Sequence, residues 1–428
     1  SIFLDLIVVD SFSHFFKYLF ILSTIIIVIV SKYSSEIKNI DKGEYYTLLL
    51  TVLLGLMLMV SSMNLIMIYL AIETVSIASY ILAGMKTADK ASNEASLKYV
   101  IFGSFASGIM LYGMSWLYGI SGSTNIIEIH NSLLGLWEDS FTIYMAIIFI
   151  LAGIGYKISM VPFHYWTPDV YEGAPTPITA FFSVAPKAAG IAMFIRVMHH
   201  LFTENGFVAD IHPILNVEWQ FLVAVLAAGT MTIGNFLAIQ QTNVKRILAY
   251  SSIAHAGYML MSATILSENA VKAIMFYLVV YLFMNLGAFI FAIFISNKLD
   301  IEDVDDYKGL GFRTPLNASL MVLFLVSLTG LPPTAGFIGK VYLFSALIES
   351  QSFYWLAVVG ILNSVVSLYY YFNIARSLWL DESEEKDTIL PHPVIGIILF
   401  ICCIPTVVFG LKWDSLTRFI DSAFQFSN

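Results

Sequence analysis

The feature that most constrains this chain is a succession of apolar windows, each long enough to cross a bilayer as a helix. They fall at residues 12–31, 45–62, 64–85, 94–118, 141–161 and 177–201, then at 217–240, 243–266, 270–296, 314–348, 354–380 and 393–412, which makes twelve. A helix rising ~1.5 Å per residue needs about 20 residues to traverse the hydrocarbon. Composition points the same way, with 58% hydrophobic and 12% charged residues and a mean hydropathy of +0.81. A soluble domain of this length must cover its surface with far more charge, whereas a bilayer accepts apolar side chains over the whole outer face of a helix bundle. The expected fold class is therefore an all-α integral membrane protein with about 12 transmembrane helices.

Assigning Lys and Arg to alternate ends of these spans tests the count. One end collects twelve, among them Lys86, Lys90, Lys245 and Arg246, and the other only five: Lys17, Arg196, Lys272, Lys412 and Arg418. The remaining four (Lys98, Lys157, Lys187 and Lys340) fall inside spans. The bias makes the richer side cytoplasmic, or its organellar equivalent, and turns both chain ends to the outer side. A weak internal repeat supports the same topology. At an offset of 178, Ala71, Ala78, Tyr80 and Leu82 fall on Ala249, Ala256, Tyr258 and Leu260. Five spans separate the copies, so the second copy runs inverted, and inverted repeats with interrupted helices mark transporters. The expected organisation is residues 1–44 as a first span and loop, 45–201 and 217–380 as two repeats, and 393–428 as a last span and tail. In that tail Trp413, Leu416, Ile420 and Phe424 at helical spacing suggest an amphipathic helix.

Several functions are excluded at this level. The net charge of −9 comes largely from loop clusters at 300–306 and 381–387, so it argues for no nucleic-acid partner. Cys402 and Cys403 are adjacent in an apolar stretch, unfit for a disulfide framework, zinc or an iron–sulfur cluster. There is no glycine-rich phosphate loop. Any redox chemistry is expected in partners. The start at Ser1, in a half-polar stretch with Asp5 and Asp10, reads as the interior of a longer protein.

The charges inside the spans carry the functional argument, because each costs ~2.5 to 3.5 kcal/mol near the bilayer centre. Glu73 stands midway along its span with no other charge within ten residues. It reads as a protonatable carboxylate for a buried lysine, or as half of an ion pair that fixes helix register. Lys157 precedes Pro162 by five residues, and that proline frees the carbonyl of Ile158. Pro186 and Lys187 repeat the arrangement with the carbonyl of Phe182, and Pro332 and Pro333 precede Lys340. Lysine suits proton transfer because burial and a nearby carboxylate move its proton affinity in opposite directions; arginine does not titrate. The alternative for each lysine is snorkelling to the interface, most serious for Lys98, five residues into its span. His255, flanked by Ser, Gly and Tyr, reads as a relay between lysines or as a packed core histidine. The stretch 163–177, rich in aromatics and prolines, reads most simply as an interfacial aromatic belt that includes His164.

The same residues carry a family resemblance. Residues 155–177 (GYKISMVPFHYWTPDVYEGAPTP), 183–190 (SVAPKAAG), 245–258 (KRILAYSSIAHAGY) and 330–340 (GLPPTAGFIGK) resemble, in order, signatures of subunit N of proton-translocating NADH:quinone oxidoreductase, respiratory complex I. The resemblance implies fourteen spans with two inverted five-helix repeats containing broken helices, of which this chain would lack the first two spans. It implies that Glu73 and Lys157 form the ion pair of a first half-channel, that Lys187 is the central lysine, and that Lys340 is the broken-helix lysine of a second half-channel. Lys98 and His255 match positions on the same polar axis. The chain would then be a non-redox subunit of a translocase in the bacterial inner membrane or an organellar equivalent. It would bind no cofactor itself, with NADH, FMN, iron–sulfur clusters and quinone in partner subunits, and it would adjoin another antiporter-like subunit and small membrane subunits. Competing readings are a cation/proton antiporter subunit of the multi-subunit type, a membrane-arm module that moves no protons, and a related complex with another electron donor.

Overall fold

The computed structural model describes residues 3–38, 40–134, 140–202, 219–381 and 387–424. Most of the acidic cluster at 381–387 lies outside these residues. The described chain forms seventeen α-helices, linked by short loops and two 3₁₀ turns. The first group is α1 (Ser11–Lys32), α2 (Lys42–Ser61), α3 (Leu65–Ala83), α4 (Lys90–Ser121), the short α5 (Ile126–Leu133), α6 (Ser140–Ile158), α7 (Trp166–Gly173) and α8 (Thr176–Phe202). Next come α9 (Trp219–Ile239), α10 (Val244–Ala263), α11 (Glu268–Leu299), the four-residue α12 (Leu310–Arg313), α13 (Pro315–Thr329) and α14 (Ala335–Glu349). The last three are α15 (Tyr354–Trp379), α16 (Pro393–Leu411) and α17 (Asp414–Ala423).

Ten of these helices are long and apolar enough to cross a membrane. The two remaining expected spans have a different character. α10 is long enough but carries Ser251, Ser252 and His255, which lower its hydropathy, and it is buried along its length. The window 314–348 is two helices, α13 and α14, broken at 330–334. Polar side chains placed at the helix starts satisfy the first backbone N–H groups. Asp10, Asp41, Asn64, Asp89, Asn125, Asn243 and Ser267 each accept from the first turn that follows them.

Packing repeats with the chain. α2, α3, α4, α6, α7 and α8 of the first set correspond to α9, α10, α11, α13, α14 and α15 of the second. The pairs α2/α3, α3/α4, α4/α6, α4/α7, α2/α8 and α6/α8 recur as α9/α10, α10/α11, α11/α13, α11/α14, α9/α15 and α13/α15. Even the entrances match. The segment before α3 pairs with the strand-like residues after α4 through Leu65 N to Thr124 O (2.8 Å), and the segment before α10 pairs with those after α11 through Val244 N to Glu302 O (2.8 Å). The two central helices, α8 and α11, are buried along nearly their whole length and pack against one another, whereas α4, α15 and α16 leave most of their apolar surface for lipid or other chains. α17 lies across the ends of α1 and α11 with Leu416 and Ile420 turned inward.

Candidate functional site

Three of the lysines expected inside spans are buried, and they share one arrangement. Lys157, near the end of α6, is 1% exposed and donates to Ser76 Oγ of α3 at 3.1 Å. Lys187 of α8 is equally buried and donates to Ser252 Oγ of α10 at 2.7 Å, with its ammonium 5.7 Å from the centre of the Tyr171 ring. Lys340 of α14 donates to Ser364 Oγ of α15 at 2.9 Å and to the carbonyl of Thr329 at 2.8 Å, and stands 4.6 Å over the Tyr258 ring. Each cation is held by neutral oxygens, and Lys187 and Lys340 also meet aromatic faces. A charge so placed is stabilised by dipoles that do not fix its protonation, unlike a closed ion pair.

Broken helices create the seats of Lys157 and Lys340. α6 stops at Ile158, four residues before Pro162, and the chain turns through Ser159 at φ 64° before α7 begins. The turn is pinned by Thr167 Oγ1 donating to Ser159 Oγ (2.8 Å) and by the Trp166 indole donating to the Tyr156 carbonyl (3.1 Å). α13 stops at Thr329, whose carbonyl would ordinarily accept from residue 333, a proline without an N–H. Lys340 and Ser364 take up that carbonyl instead. Gly330 follows at φ +87°, and a Cβ there would meet the Lys340 side chain at 2.8 Å, so both backbone and space require glycine. Pro186, by contrast, sits inside α8 without interrupting it.

Glu73 and Lys157 are not closed into an ion pair. Glu73 Oε1 is buried without a hydrogen-bond partner, while Lys157 is engaged one helical turn further along α3, at Ser76. Between Lys187 and Lys340 lies a cluster of buried rings on α10, α11 and α15. His255 is bonded through Nδ1 to the Tyr277 hydroxyl and through Nε2 to the Tyr371 hydroxyl at 3.1 Å, and its ring packs on Tyr281 and Tyr258. Tyr258, which covers Lys340, is therefore also a direct neighbour of His255. Ser252, which holds Lys187, lies one turn before His255 on α10.

Lys98 stands apart from this axis. It is partly exposed on α4 and forms ion pairs with Glu94 (2.7 Å) and Asp169. Asp169 and Glu172 of α7 in turn hold Arg246 of α10, at 2.9 and 2.6 Å. Burial raises the Asp169 carboxyl, but Lys98 and Arg246 outweigh that and hold it below the usual carboxylate range. A second ionic cluster sits at the same end, where Glu36 accepts from Lys86 (3.2 Å) and from the Thr176 backbone (2.7 Å), and Lys245 pairs with Glu302. The stretch 163–177 differs from an interfacial belt. Its Trp166, Tyr171 and His164 are buried inside the bundle, because α7 folds back against α4, α8 and α10. Only Tyr165 of its aromatics is strongly exposed.

Sequence alone does not mark the serine partners of the lysines, or Tyr277, Tyr281 and Tyr371 around His255, as site residues. Serines occur in most of the spans, and no local signal separates Ser76, Ser252 and Ser364 from the rest. Thr329 did carry a signal, since the residue four before Pro333 must lose its backbone donor.

Known proteins share this fold. Residues 62–367 match the family model described as NADH:quinone oxidoreductase/Mrp antiporter, transmembrane. NADH-quinone oxidoreductase subunit N 2 of Chloroherpeton thalassium is 47% identical over 425 residues, covering 97% of this chain and 82% of that one. A chain of respiratory complex I from Thermus thermophilus superposes with a TM-score of 0.80 at 30% identity, over 96% of this chain and 86% of that one. A chain of an archaeal membrane-bound sulfane sulfur reductase shares the fold, with a TM-score of 0.85 at 23% identity over 96% of this chain and 81% of that one.

Proposed function

The chain belongs to the NADH:quinone oxidoreductase/Mrp antiporter membrane-subunit family, in its NADH-quinone oxidoreductase subunit N branch, and we propose that it moves protons through the membrane arm of that oxidoreductase. The observation that carries this reading is the set of three buried lysines on three helices, each bonded to a serine hydroxyl. The Lys187 and Lys340 ammonium groups, held by neutral oxygens, can release a proton without stranding an anion beside them. Rearranging one partner changes the balance on the right scale. Moving one charge against 100 mV takes ~2.3 kcal/mol, and a hydrogen bond to a charged group contributes about 1.5 to 3 kcal/mol.

In this reading Glu73 and Lys157 begin a first half-channel within 45–201, and Lys340 belongs to a second within 217–380, with Lys187 between them. The open Glu73–Lys157 couple is one of two states. Its closure would hold the proton on Lys157, and its opening would let the proton pass on. Ser252, His255, Tyr277, Tyr371 and Tyr258 provide the hydroxyls and ring nitrogens through which a proton could reach Lys340. Lys98 is a candidate relay at the lysine-rich end. The chain contributes no redox chemistry of its own; electron transfer among NADH, FMN, iron–sulfur clusters and quinone in partner subunits drives its rearrangements. Its neighbours would be another antiporter-like subunit and small membrane subunits. The lysine-rich end would face the cytoplasm of a bacterial inner membrane, or the organellar equivalent, with both ends of the described chain on the outer side.

A multi-subunit antiporter role is disfavoured by the high identity to subunit N, and a purely structural role leaves three costly buried lysines without a purpose. The test is Lys157→Ala in the reconstituted complex. Proton pumping per NADH should be abolished or strongly reduced with assembly intact; normal pumping stoichiometry would defeat the assignment.

A further inference from the structure

Arg246 lies off the axis of buried lysines, yet it ties together α7 and α10, the helices that present Tyr171 and Ser252 to Lys187. Its guanidinium reaches Asp169 Oδ1 (2.9 Å) and Glu172 Oε2 (2.6 Å) through one nitrogen and Gln241 Oε1 (2.8 Å) through Nε. Asp169 and Glu172 are three residues apart on α7, so one arginine clamps one face of that helix. Tyr171, between them in sequence, turns the other way, is fully buried, and lays its ring beside the Lys187 ammonium. Arg246 itself lies on α10 six residues before Ser252, the hydrogen-bond partner of Lys187. A closed circuit results: Lys187 to Ser252, along α10 to Arg246, across to Asp169 and Glu172, along α7 to Tyr171, and back to Lys187.

α7 has only eight residues and follows a break, so its own propensity cannot hold it. Side-chain ties to neighbouring helices help seat it: the Trp166 indole donating to the Tyr156 carbonyl and stacking on Tyr99 at its start, and, further along, the clamp from Arg246, the pair between Lys98 and Asp169, and Thr179 Oγ1 donating to the Tyr171 carbonyl at 2.9 Å. We propose that Arg246 is a positioning residue for the Lys187 proton, holding α7 and α10 together so that Tyr171 and Ser252 keep the ammonium enclosed. The proposal rests on the proton-translocating reading, and it adds a residue that touches neither Lys187 nor the proton.

The experiment is a double-mutant cycle on NADH-driven proton pumping in the reconstituted complex, with assembled complex quantified for each variant. Arg246→Gln should lower protons pumped per NADH by about threefold or more, a coupling typical of residues in one network. Arg246→Lys, which keeps the charge but lacks the fork, should recover part of the loss. In a Lys187→Ala background, Arg246→Gln should cost nothing further, because it acts through that lysine. An additive loss, or full pumping by Arg246→Gln where Lys187→Ala is impaired, would overturn the positioning role. Normal pumping by Lys187→Ala itself would overturn the underlying proton-path reading instead. A fall in assembled complex that Arg246→Lys does not correct would show that the arginine serves folding alone, which also overturns the proposal.

Discussion

At the break between α6 and α7, Lys157 has one hydrogen-bond partner, Ser76, with the carboxylate of Glu73 one turn away on the same helix. At the break between α13 and α14, Lys340 has two partners, Ser364 and the proline-freed carbonyl of Thr329, and the Tyr258 ring besides. The repeat is thus closely kept in helix packing and relaxed in how each lysine is served. At the offset of 178, Glu73 falls on Ser251, so the second copy has no acid at the corresponding place. The first seat has a charge to exchange with; the second relies on fixed dipoles. A seat with a carboxylate not bonded to its lysine suits gating, and one that includes a freed backbone carbonyl suits steady retention of a cation.

This contrast can be broken most sharply by removing one serine from each seat. Ser76→Ala takes the single hydrogen-bond partner of Lys157, and pumping in the reconstituted complex should fall about tenfold, the scale of a lost bond to a buried charge. Ser364→Ala leaves the Thr329 carbonyl in place and should cost no more than about threefold. Equal losses would mean that the two seats work alike. A smaller effect is expected from Gly330→Ala, since the left-handed backbone costs ~1 to 2 kcal/mol in a non-glycine residue and the new methyl crowds Lys340. Thermal unfolding of the purified complex should shift down by a few degrees, with pumping affected more than quinone reduction.

Smallest is a pH effect at the lysine-rich end. Burial raises the Glu36 carboxyl, but Lys245, Lys86 and the Thr176 N–H together hold it below its ordinary value of 4.5. A depressed carboxylate adds stability that is fully present above the unfolded value and is lost as pH falls through the folded one. Protection of the backbone amides in the α1–α2 loop and at the start of α8, corrected for the intrinsic pH dependence of exchange, should therefore stay constant from neutral pH down to about 4.5 and fall below it, ahead of the spans. Glu36→Gln should remove that step.

Much of this was legible because the bilayer penalises charge. Lys157, Lys187 and Lys340 announce themselves as cations in apolar runs, and prolines announce the breaks beside two of them. α10 was legible as one long helix from its apolar window, although its serines and histidine lower its hydropathy and it is not among the ten helices apolar enough to cross a membrane. What could not be read is which neutral groups meet the lysines. Ser76 is 81 residues from Lys157 in sequence and Ser252 is 65 from Lys187, and a serine in a span has no distinguishing chemistry until the helices are packed. The open state of Glu73 and Lys157 is a matter of side-chain geometry, invisible in residue spacing. α7 misled for a related reason. Its aromatic and proline content matches an interfacial segment, and only the fold returns it to the bundle interior, where Tyr171 meets Lys187.

The account depends on buried lysines that exchange protons, and Lys187→Arg tests this most directly because it preserves the charge and removes the capacity to give the proton up. The measurement is protons translocated per NADH in proteoliposomes, with the amount of assembled complex held equal. A marked fall with assembly intact is the expected result, and an unchanged ratio would contradict proton exchange at Lys187.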